Sequence, residues 1–475
     1  MILPLRAHIH FVAICGTAMG ALAGLLKEKG YRVTGSDQHV YPPMSLLLEQ
    51  LGIPIEKGFD VTHLEPPPDL VVIGNAVSRG NPEVEATLNR QIPYRSLPEV
   101  IRDFFLQDKR SVVISGTHGK TTTTAIAAHL LHQAQLDPSF LIAGLPHNFP
   151  RPYRLGNGPY FIIEGDEYDS AFFAKFAKFF FYLPQTLVVN NIEFDHADIY
   201  RDLEEIERVF GQLINLIPQN GLILAASHDP VIKKLLPNAH SPVQTFGLEP
   251  EAYWRATEIE STPQGQHFTL SRQGEAQGRI ELPLGGTYNI RNSLAAIGIG
   301  MEAGLSPSQI SAGLLSFKGV RRRQEVVGRV AGITLIDDFA HHPTAVYQTL
   351  DGLRRSYPQR RLWAVFEPAS ATNARAVFTD RYIAAFAPAD QIVLARILRP
   401  ERAREDIPFK PEQLAKHLQG QGHSAAYIPD VAEIVSHLRN SLQSGDIVVF
   451  MSNGGFGGIQ QKLLQSLQVH YGSAS

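Results

Sequence analysis

Residues 111–124 read Ser-Val-Val-Ile-Ser-Gly-Thr-His-Gly-Lys-Thr-Thr-Thr-Thr and decide the fold of the segment around them. The apolar run at 112–114 predicts a buried strand, and Gly116 and Gly119 predict a tight loop that leads into a helix over 122–129. Such a loop presents backbone N–H groups and the positive end of the helix dipole to phosphate oxygens. The stretch therefore predicts a phosphate-binding loop in an α/β unit.

Two residues of this loop carry chemistry of their own. Lys120 is placed to reach the terminal phosphates of a nucleotide, and the Thr121 hydroxyl is placed to ligate Mg²⁺. The common form of the loop has four residues between its first glycine and the Gly-Lys pair, whereas only two separate Gly116 from Gly119 here. A tight strand–helix turn with an exposed lysine is the alternative. The flanking strand and helix favour nucleotide binding.

Length and composition limit the class of protein. A chain of 475 residues is too long for one hydrophobic core, so about three domains are expected. The composition, 44% hydrophobic and 19% charged, is typical of a globular enzyme, and the net charge of -3 gives no reason to expect nucleic acid or membrane as a partner. The single cysteine, Cys15, excludes an intramolecular disulfide and indicates a reducing compartment, so we expect a cytoplasmic protein.

The apolar segment 9–26 contains glycines at four-residue spacing and has two interpretations. One is a signal peptide or a membrane helix. The favoured one is a strand over 9–15, a loop over 16–20 and a helix to about Lys29, followed by a strand over 31–35 that ends at Ser36-Asp37. An acidic residue about twenty positions after a glycine loop is typical of a Rossmann-type unit that binds a ribose. Because the G-x-G-x-x-G spacing is incomplete, a phosphate-bearing nucleotide is predicted rather than a nicotinamide cofactor.

Three α/β units are predicted along the chain, over residues 1–108, 109–322 and 323–475. The predicted elements are strands at 69–74, 161–163, 186–190, 333–336, 361–366, 391–395 and 446–451, helices at 81–90, 99–105 and 293–301, and a β-rich patch near 222–284.

Carboxylate and imidazole groups follow two predicted strands of the middle unit. Glu164-Gly165-Asp166-Glu167 comes after the first, and carboxylates in that position are suited to Mg²⁺. Asn191 and His196 follow the second; His196 is a candidate second metal ligand and Asn191 a candidate substrate contact. A solvated acidic turn and a polar helix cap are the alternatives.

Three further motifs are candidates for ligand contacts. Asn292, near the start of a predicted helix, is suited to an adenine edge or, alternatively, to an N-cap. Residues 337–344 contain Asp338, His341 and His342, and predict a ribose or phosphate contact in preference to a metal cluster. The glycine-rich stretch 451–458 lets the backbone approach a ligand, unless it is a flexible connection.

In this order, these motifs resemble the ATP-dependent Mur ligase family over nearly the whole chain, and residues 116–122 are similar to the short phosphate-binding loop of that family. The resemblance implies an α/β protein of three domains: a Rossmann-like UDP-binding domain, a P-loop ATPase domain and a Rossmann-like C-terminal domain. It implies ATP and Mg²⁺ as cofactors, and a reaction in which an amine is joined to UDP-N-acetylmuramate through an acyl phosphate.

The resemblance also implies four groups of site residues. Contacts to the UDP-substrate would come from Gly16, Thr17, Ala18 and Met19 at the diphosphate, Ser36 and Asp37 at the uridine, and Asn75 and Asn191. Contacts to ATP would come from Gly116, Thr117, His118, Gly119, Lys120, Thr121, Thr122, Asn292, Arg323 and Asp338. The metal ligands would be Thr121, Glu164 and His196, and the catalytic residues Lys120, Glu164, His196 and Arg323.

Two branches of the family share this acceptor and differ in the amine. One adds L-alanine; the other adds a recycled murein tripeptide, L-Ala-γ-D-Glu-meso-diaminopimelate. The stretches 40–45, 73–76, 166–173 and 451–458 resemble the tripeptide branch, which is therefore favoured. An NAD-dependent dehydrogenase and a non-catalytic nucleotide-binding protein are alternatives from other classes, and neither explains Lys120 together with Glu164. The sequence indicates no oligomeric state.

Some positions depart from the family pattern. Tyr288 stands where histidine is frequent, Gly165 where alanine is usual, and Ala369 and Ala371 where the tripeptide branch often has arginine and asparagine. The last two leave the third residue of the peptide open. Phe210 stands where other branches have a carbamylated lysine, so no carbamate is expected. His341 and His342 are candidate bases, and Arg375, Arg396 and Arg399 are candidate partners for the carboxylates of the peptide.

Overall fold

The structure is a computed structural model that describes residues 3–40, 44–197, 199–369, 376–398, 401 and 408–472. Several sequence predictions fall outside these ranges. They are part of the stretch 40–45, the departure at Ala371, and the candidate peptide contacts Arg375 and Arg399.

The first unit is a parallel α/β sheet. In the described part of this unit the strand order is β3-β2-β1-β4-β5, and all pairs are parallel. Its elements are β1 (His8–Val12), α1 (Thr17–Glu28), β2 (Arg32–Asp37), α2 (Met44–Gln50), β3 (Ile55–Lys57), β4 (Leu70–Ile73), α3 (Pro82–Asn89), β5 (Tyr94–Ser96) and α4 (Leu97–Phe105).

The glycine loop of this unit is tighter than predicted. Strand β1 ends at Val12, because Ala13 has a φ of 68° that no strand accommodates. Helix α1 begins at Thr17, so residues 17–20 form its first turn instead of a loop. Gly30, with a φ of 98°, follows the C-cap Lys29 and ends α1 close to the predicted position. The apolar segment 9–26 is thus a strand and a short helix, and within the described ranges no helix has both the length and the apolarity to cross a bilayer.

The second unit is built on a long mixed sheet. Among the described residues its order is β17-β16-β15-β14-β13-β12-β6-β9-β7-β8, with a separate hairpin β10-β11. The strands are β6 (Arg110–Ser115), β7 (Ser139–Leu141), β8 (Tyr153–Arg154), β9 (Tyr160–Gly165), β10 (Asp169–Ala171), β11 (Ala174–Ala177), β12 (Thr186–Val189), β13 (Leu222–Ala226), β14 (Val243–Gly247), β15 (Trp254–Thr262), β16 (Gly265–Arg272) and β17 (Glu275–Leu282). The helices are α5 (Lys120–Gln133), α6 (Leu203–Asn215), α7 (Pro230–Leu235), α8 (Thr287–Glu302) and α9 (Pro307–Leu315).

The third unit is a sheet covered on both faces. Its described strands have the order β18-β19-β23-β20-β21-β22, in which only the β18–β19 pair is antiparallel. Successive residues of β23 pack into two separate apolar clusters, as period-two alternation requires. The elements are β18 (Glu325–Val330), β19 (Ile333–Asp338), α10 (Pro343–Ser356), β20 (Leu362–Phe366), α11 (Thr379–Ala385), β21 (Gln391–Leu394), α12 (Pro411–Gly420), β22 (Ser424–Tyr427), α13 (Val431–Ser441), β23 (Ile447–Met451) and α14 (Ile459–Gly472).

The first two units share a hydrophobic core, and this contact fixes their relative position. One buried cluster includes Leu22 of α1 and Phe161 of β9. At the same interface a Cβ on Gly24 would collide with the ring of Tyr153, so glycine allows β8 to lie against α1. The loops that follow β1 and β6 are therefore held in a fixed position relative to each other by this shared core.

Candidate active site

A cleft of about 1140 Å³ is lined by residues of all three units. Thr17 reaches it from the first unit, Lys120 and Glu164 from the second, and Arg323 and Asp338 from the third. The second unit contributes the carboxyl ends of β6, β9 and β12, which are neighbours in its sheet. Ligands of open α/β sheets bind at this end of the strands.

The predicted phosphate-binding loop ends in an uncapped helix N-terminus. Helix α5 begins at Lys120, and its N-cap, Gly119, supplies no side-chain hydrogen bond to the first turn. Gly116 and Gly119 have φ values of 127° and 82°. A Cβ on Gly116 would lie 2.9 Å from the carbonyl oxygen of Asn191, and one on Gly119 would collide with Asn292 Oδ1. The glycines thus leave the N–H groups of α5 available for phosphate.

The loop after β12 holds the phosphate-binding loop in shape. Asn191 Oδ1 accepts a hydrogen bond from the His118 backbone N–H at 2.8 Å, and Asn191 Nδ2 donates to the His118 carbonyl at 3.2 Å. The Thr117 hydroxyl is bonded to the backbone of Glu193. The Asn191 amide therefore positions the loop, and its contact with a UDP-substrate stays a prediction.

Thr121, Glu164 and Arg323, which the sequence places far apart, meet in the cleft. The Thr121 hydroxyl donates to Glu164 Oε2 at 2.9 Å, and Arg323 Nη2 donates to the same hydroxyl at 3.4 Å. The backbone N–H of Ala143 binds Glu164 Oε1 at 2.6 Å. Burial raises the pKa of Glu164, and the nearby carboxylate of Asp166 adds to this effect. A hydroxyl and a carboxylate beside an arginine are groups suited to a metal ion and its phosphate, so the predicted roles of these three residues are compatible with their positions.

Lys120 forms a buried ion pair with Glu167. Lys120 Nζ lies 3.1 Å from Glu167 Oε2 and donates to the Gly116 carbonyl at 2.6 Å. Burial lowers the pKa of Lys120, but Glu167 and Asp166 outweigh it, so the pKa is raised. Glu167 was absent from the predicted site residues. It belongs to the Glu164–Glu167 run, but only the fold shows which carboxylate faces the lysine.

His196 lies on the other side of Glu167. Its Nε2 is 3.4 Å from Glu167 Oε1, and its ring packs on Tyr168 with centroids 5.1 Å apart. Burial opposes protonation, but the hydrogen bond and charge of Glu167 raise the His196 pKa to about 9. The φ of 53° is costly for a residue with a Cβ and is held by the surrounding loop. Glu167 thus contacts both His196 and Lys120, and it places the His196 ring beside the phosphate-binding loop.

Asn292 and Asp338, the candidate contacts to the adenine and ribose of ATP, are hydrogen-bonded to neighbouring protein groups. Helix α8 begins at Thr287, earlier than predicted, so Asn292 lies within it and the N-cap alternative is wrong. Asn292 Nδ2 donates to Asn289 Oδ1 at 3.2 Å. The two oxygens of Asp338 accept backbone N–H groups of Gln324 and Ala340, each at 2.7 Å. Contacts from Asn292 and Asp338 to ATP stay predictions.

The first unit presents a second open helix N-terminus, at Gly16 of α1. Asp37, at the end of β2, accepts the Cys15 N–H at 2.8 Å and so borders this loop. Ser36 is fully buried and donates to Glu83 Oε2 at 2.5 Å, and the Met19 side chain is also buried, so either residue would contact a ligand only through its backbone. Asn75 is exposed just after β4, and its predicted contact is not tested.

Two stretches that favoured a tripeptide have structural contacts of their own. In the hairpin β10–β11, the ring of Phe173 packs edge-on against Tyr94 of the first unit, with centroids 5.0 Å apart. The glycine-rich turn after β23 is held by Arg322 Nη2, which donates to the carbonyls of Ser452 and Gly454 at 2.7 and 2.6 Å. The hairpin therefore joins two units, and the turn is not a flexible connection.

Three protein-family models match successive parts of the chain. "Mur ligase family, catalytic domain" matches residues 8–109, "Mur ligase middle domain" matches 114–300, and "Mur ligase, glutamate ligase domain" matches 322–454. The chain belongs to the Mur ligase family. The Mur ligase resemblance and the three-domain α/β fold are confirmed, and the dehydrogenase and non-catalytic alternatives are wrong. As a Mur ligase, the protein is an enzyme that forms amide bonds.

This Mur ligase is similar to named relatives over nearly its full length. It is 41% identical over 461 residues to the UDP-N-acetylmuramate–L-alanyl-γ-D-glutamyl-meso-2,6-diaminoheptandioate ligase of Escherichia coli, covering 97% of this chain and 98% of the relative. A murein peptide ligase structure from Psychrobacter arcticus is 36% identical, with a TM-score of 0.73. The match covers 97% of this chain and 98% of that one. The UDP-N-acetylmuramate–L-alanine ligase of Desulfitobacterium hafniense is 33% identical over 458 residues, covering 96% of this chain and 99% of the relative.

Proposed function

We propose that this Mur ligase joins the tripeptide L-Ala-γ-D-Glu-meso-diaminopimelate to UDP-N-acetylmuramate, with hydrolysis of ATP to ADP and phosphate, in the recycling of peptidoglycan. One observation carries this proposal: a single cleft brings together the open helix end of the first domain and the phosphate-binding loop of the second. The name of the Escherichia coli relative supports the choice of acceptor and peptide.

The first step is phosphoryl transfer. The lactyl carboxylate of the acceptor attacks the γ-phosphorus of ATP, the bond to the β-phosphate oxygen breaks, and an acyl phosphate and ADP form. Lys120 and Arg323 are the cations beside this reaction, and they stabilise the negative charge that spreads over the transferred group. The buried carboxylate of Glu167 keeps Lys120 charged and in position.

The site fits Mg²⁺, which prefers oxygen ligands. Thr121 and Glu164 place a hydroxyl and a carboxylate 2.9 Å apart at the loop, and these two residues would hold the ion. His196 would supply a further ligand after it loses a proton. When bound, Mg²⁺ neutralises charge on the phosphate oxygens.

The second step is aminolysis. The peptide amine attacks the acyl carbon, phosphate leaves, and the amine loses a proton. His341 lines the cleft, and burial lowers its pKa, so its imidazole is neutral at pH 7 and able to accept that proton. Its Nδ1 lies 3.0 Å from the Phe339 carbonyl and donates to it, which makes Nε2 the accepting atom. We prefer His341 to His342 as the base, because His342 is not among the described residues that line the cleft.

L-Alanine is the second candidate donor, because relatives named for that reaction are 33% identical over nearly the whole chain. The relative named for the tripeptide reaction is 41% identical, which supports the first candidate. A nucleotide-linked acceptor and ATP also favour a cytoplasmic location.

The proposal is tested by measuring ADP release with UDP-N-acetylmuramate and one amine at a time. We expect turnover with the tripeptide and little with L-alanine. ADP release that does not depend on the acceptor would contradict the acyl-phosphate route. Release that depends on the acceptor but only with L-alanine would identify the second function.

A further inference from the structure

Two histidines and a glutamate from different domains converge beside the phosphate-binding loop. His118 and Glu193 belong to the second domain, and His342 precedes α10 of the third. One potential ligand atom from each lies within 4.8 Å of the other two. The Mg²⁺ ligands proposed above are Thr121, Glu164 and His196, so this cluster is a separate set of side chains.

The contacts within the cluster are too long for hydrogen bonds. His118 Nε2 lies 3.9 Å from Glu193 Oε1, and His342 Nδ1 lies 3.9 Å from Glu193 Oε2. Two ligands that are each about 2.0–2.2 Å from one metal ion are separated by roughly 3–4 Å. His342 Nδ1 also accepts the Thr344 N–H at 3.3 Å, so an ion bound through this nitrogen would displace that cap; small inward movements of the three side chains would then allow all of them to bind it.

The imidazoles also have unsatisfied polar atoms. His118 Nε2 and His342 Nε2 are buried without a hydrogen-bond partner in the described part of the chain, and the His342 side chain is only 1% exposed. The rings lie 4.6 Å apart, centroid to centroid. Burial lowers the pKa of both, to about 4 for His342, so both are neutral at pH 7, the form that binds metal.

The surrounding charges leave one oxygen of Glu193 directed at the cluster. Glu193 Oε2 accepts hydrogen bonds from the Thr344 hydroxyl at 2.7 Å and from Arg381 Nη2 at 2.8 Å. Oε1 is the oxygen that faces His118. These bonds tie the loop after β12 to the third domain, and they orient the carboxylate as partners outside a metal site do.

We propose that His118, Glu193 and His342 form a binding site for a borderline divalent transition-metal ion such as Zn²⁺, which links the second domain to the third. Two imidazoles and one carboxylate suit Zn²⁺ better than Mg²⁺, which prefers oxygen ligands. An ion bound here holds the phosphate-binding loop against the N-terminus of α10. The proposal rests on the positions of these three side chains, so it holds whichever amine the enzyme uses.

The test is a Zn²⁺ titration of the full-length protein without nucleotide, in competition with a chromophoric chelator, with Co²⁺ absorption as a second probe. Glu193→Gln and His342→Asn each remove one ligand, and asparagine preserves the cap of α10. Loss of a partner outside the metal site already costs about 10–100-fold in affinity, so we expect at least tenfold weaker binding for both variants. Zn²⁺ should also raise the thermal midpoint of the wild type more than that of either variant.

Two controls make the result specific. His147 is a more exposed histidine 3.4 Å from Glu325, so His147→Asn should leave the affinity for Zn²⁺ unchanged. His63→Asn removes another histidine beside a buried glutamate, with His63 Nδ1 2.6 Å from Glu83 Oε1, and should also leave it unchanged. His196→Asn removes a ligand of the proposed Mg²⁺ site and shows whether Zn²⁺ binds there instead. Absence of Zn²⁺ binding by the wild type, or binding that is lost with His196→Asn but kept with both cluster variants, would overturn the proposal.

Discussion

Lys120 Nζ and Glu167 Oε2 lie 3.1 Å apart and form an ion pair inside the active-site cleft. Glu167 also contacts His196, so one carboxylate organises a cation and a candidate metal ligand. Both side chains are nearly excluded from solvent, at 12% and 3% exposure, which makes their interaction strong and its loss measurable.

Replacing Lys120 with alanine should lower kcat for ligation by about a hundredfold or more, because a preorganised cation at the transferred phosphoryl group is lost. The matched control is Lys178→Ala, which removes another lysine 3.1 Å from a carboxylate, that of Asp166. The control should lose stability with little change in kcat. Ligation by Lys120→Ala within about tenfold of wild type would remove this loop from the mechanism.

Gly119→Ala should abolish ATP binding while the protein stays folded. The new Cβ would require a φ of 82° and would collide with Asn292, which distorts the N-terminus of α5. Gly274 has a φ of 86° and open space around it, so Gly274→Ala costs only the backbone strain of about 1–2 kcal/mol. Calorimetric titration with ATP separates the two variants. Equal ATP affinity in both would mean that phosphate binds elsewhere.

Asp37→Ala should raise KM for the UDP-substrate and leave KM for ATP nearly unchanged. The Asp37 carboxylate accepts the Cys15 N–H beside the N-terminus of α1, and this site lies on a different domain from the phosphate-binding loop. Asp69→Ala is the control, since Asp69 accepts the His8 N–H at the opposite end of the same sheet. Steady-state kinetics with each substrate varied gives both constants. An equal rise in both KM values would argue against a UDP site on the first domain.

Mg²⁺ binding in the presence of an ATP analogue should release close to one proton per site at pH 7.5. The pKa of His196 is raised to about 9, so the ring is protonated there and must lose its proton to become a ligand. Protons and metal compete for the ring, and the apparent Mg²⁺ affinity should therefore rise with pH and level off above about 9. Calorimetry in buffers of different ionisation enthalpy counts the protons. The same proton release from His196→Asn would exclude His196 as the source.

Much of the fold was predictable because its signals are local. The loop at 116–119 needs glycine for its backbone, and the apolar runs before and after it have the lengths of a strand and a helix. The predicted start of α4 is two residues late, since Ser96 and Glu99 form a capping box that begins the helix at Leu97. Such short-range effects shift a boundary and leave the architecture unchanged.

The site was less predictable because its contacts are distant in sequence. Nothing near Ser36 indicates that its hydroxyl is bound by Glu83 instead of facing a ligand. Likewise, the two-sided hydrogen bonding of Asn191 to His118 depends on β12 lying next to β6. The residue types that follow each predicted strand were enough to locate the cleft. Which of their side chains remain available to a ligand is shown only by the packing of the domains.

The amine donor tests the central claim most directly. The measurement is kcat/KM for the tripeptide and for L-alanine, with UDP-N-acetylmuramate and ATP saturating. We expect the tripeptide to be used at least about tenfold more efficiently, because its carboxylates gain contacts that a free amino acid cannot make. Efficient ligation of L-alanine without turnover of the tripeptide would contradict the account and identify the protein as the alanine-adding ligase.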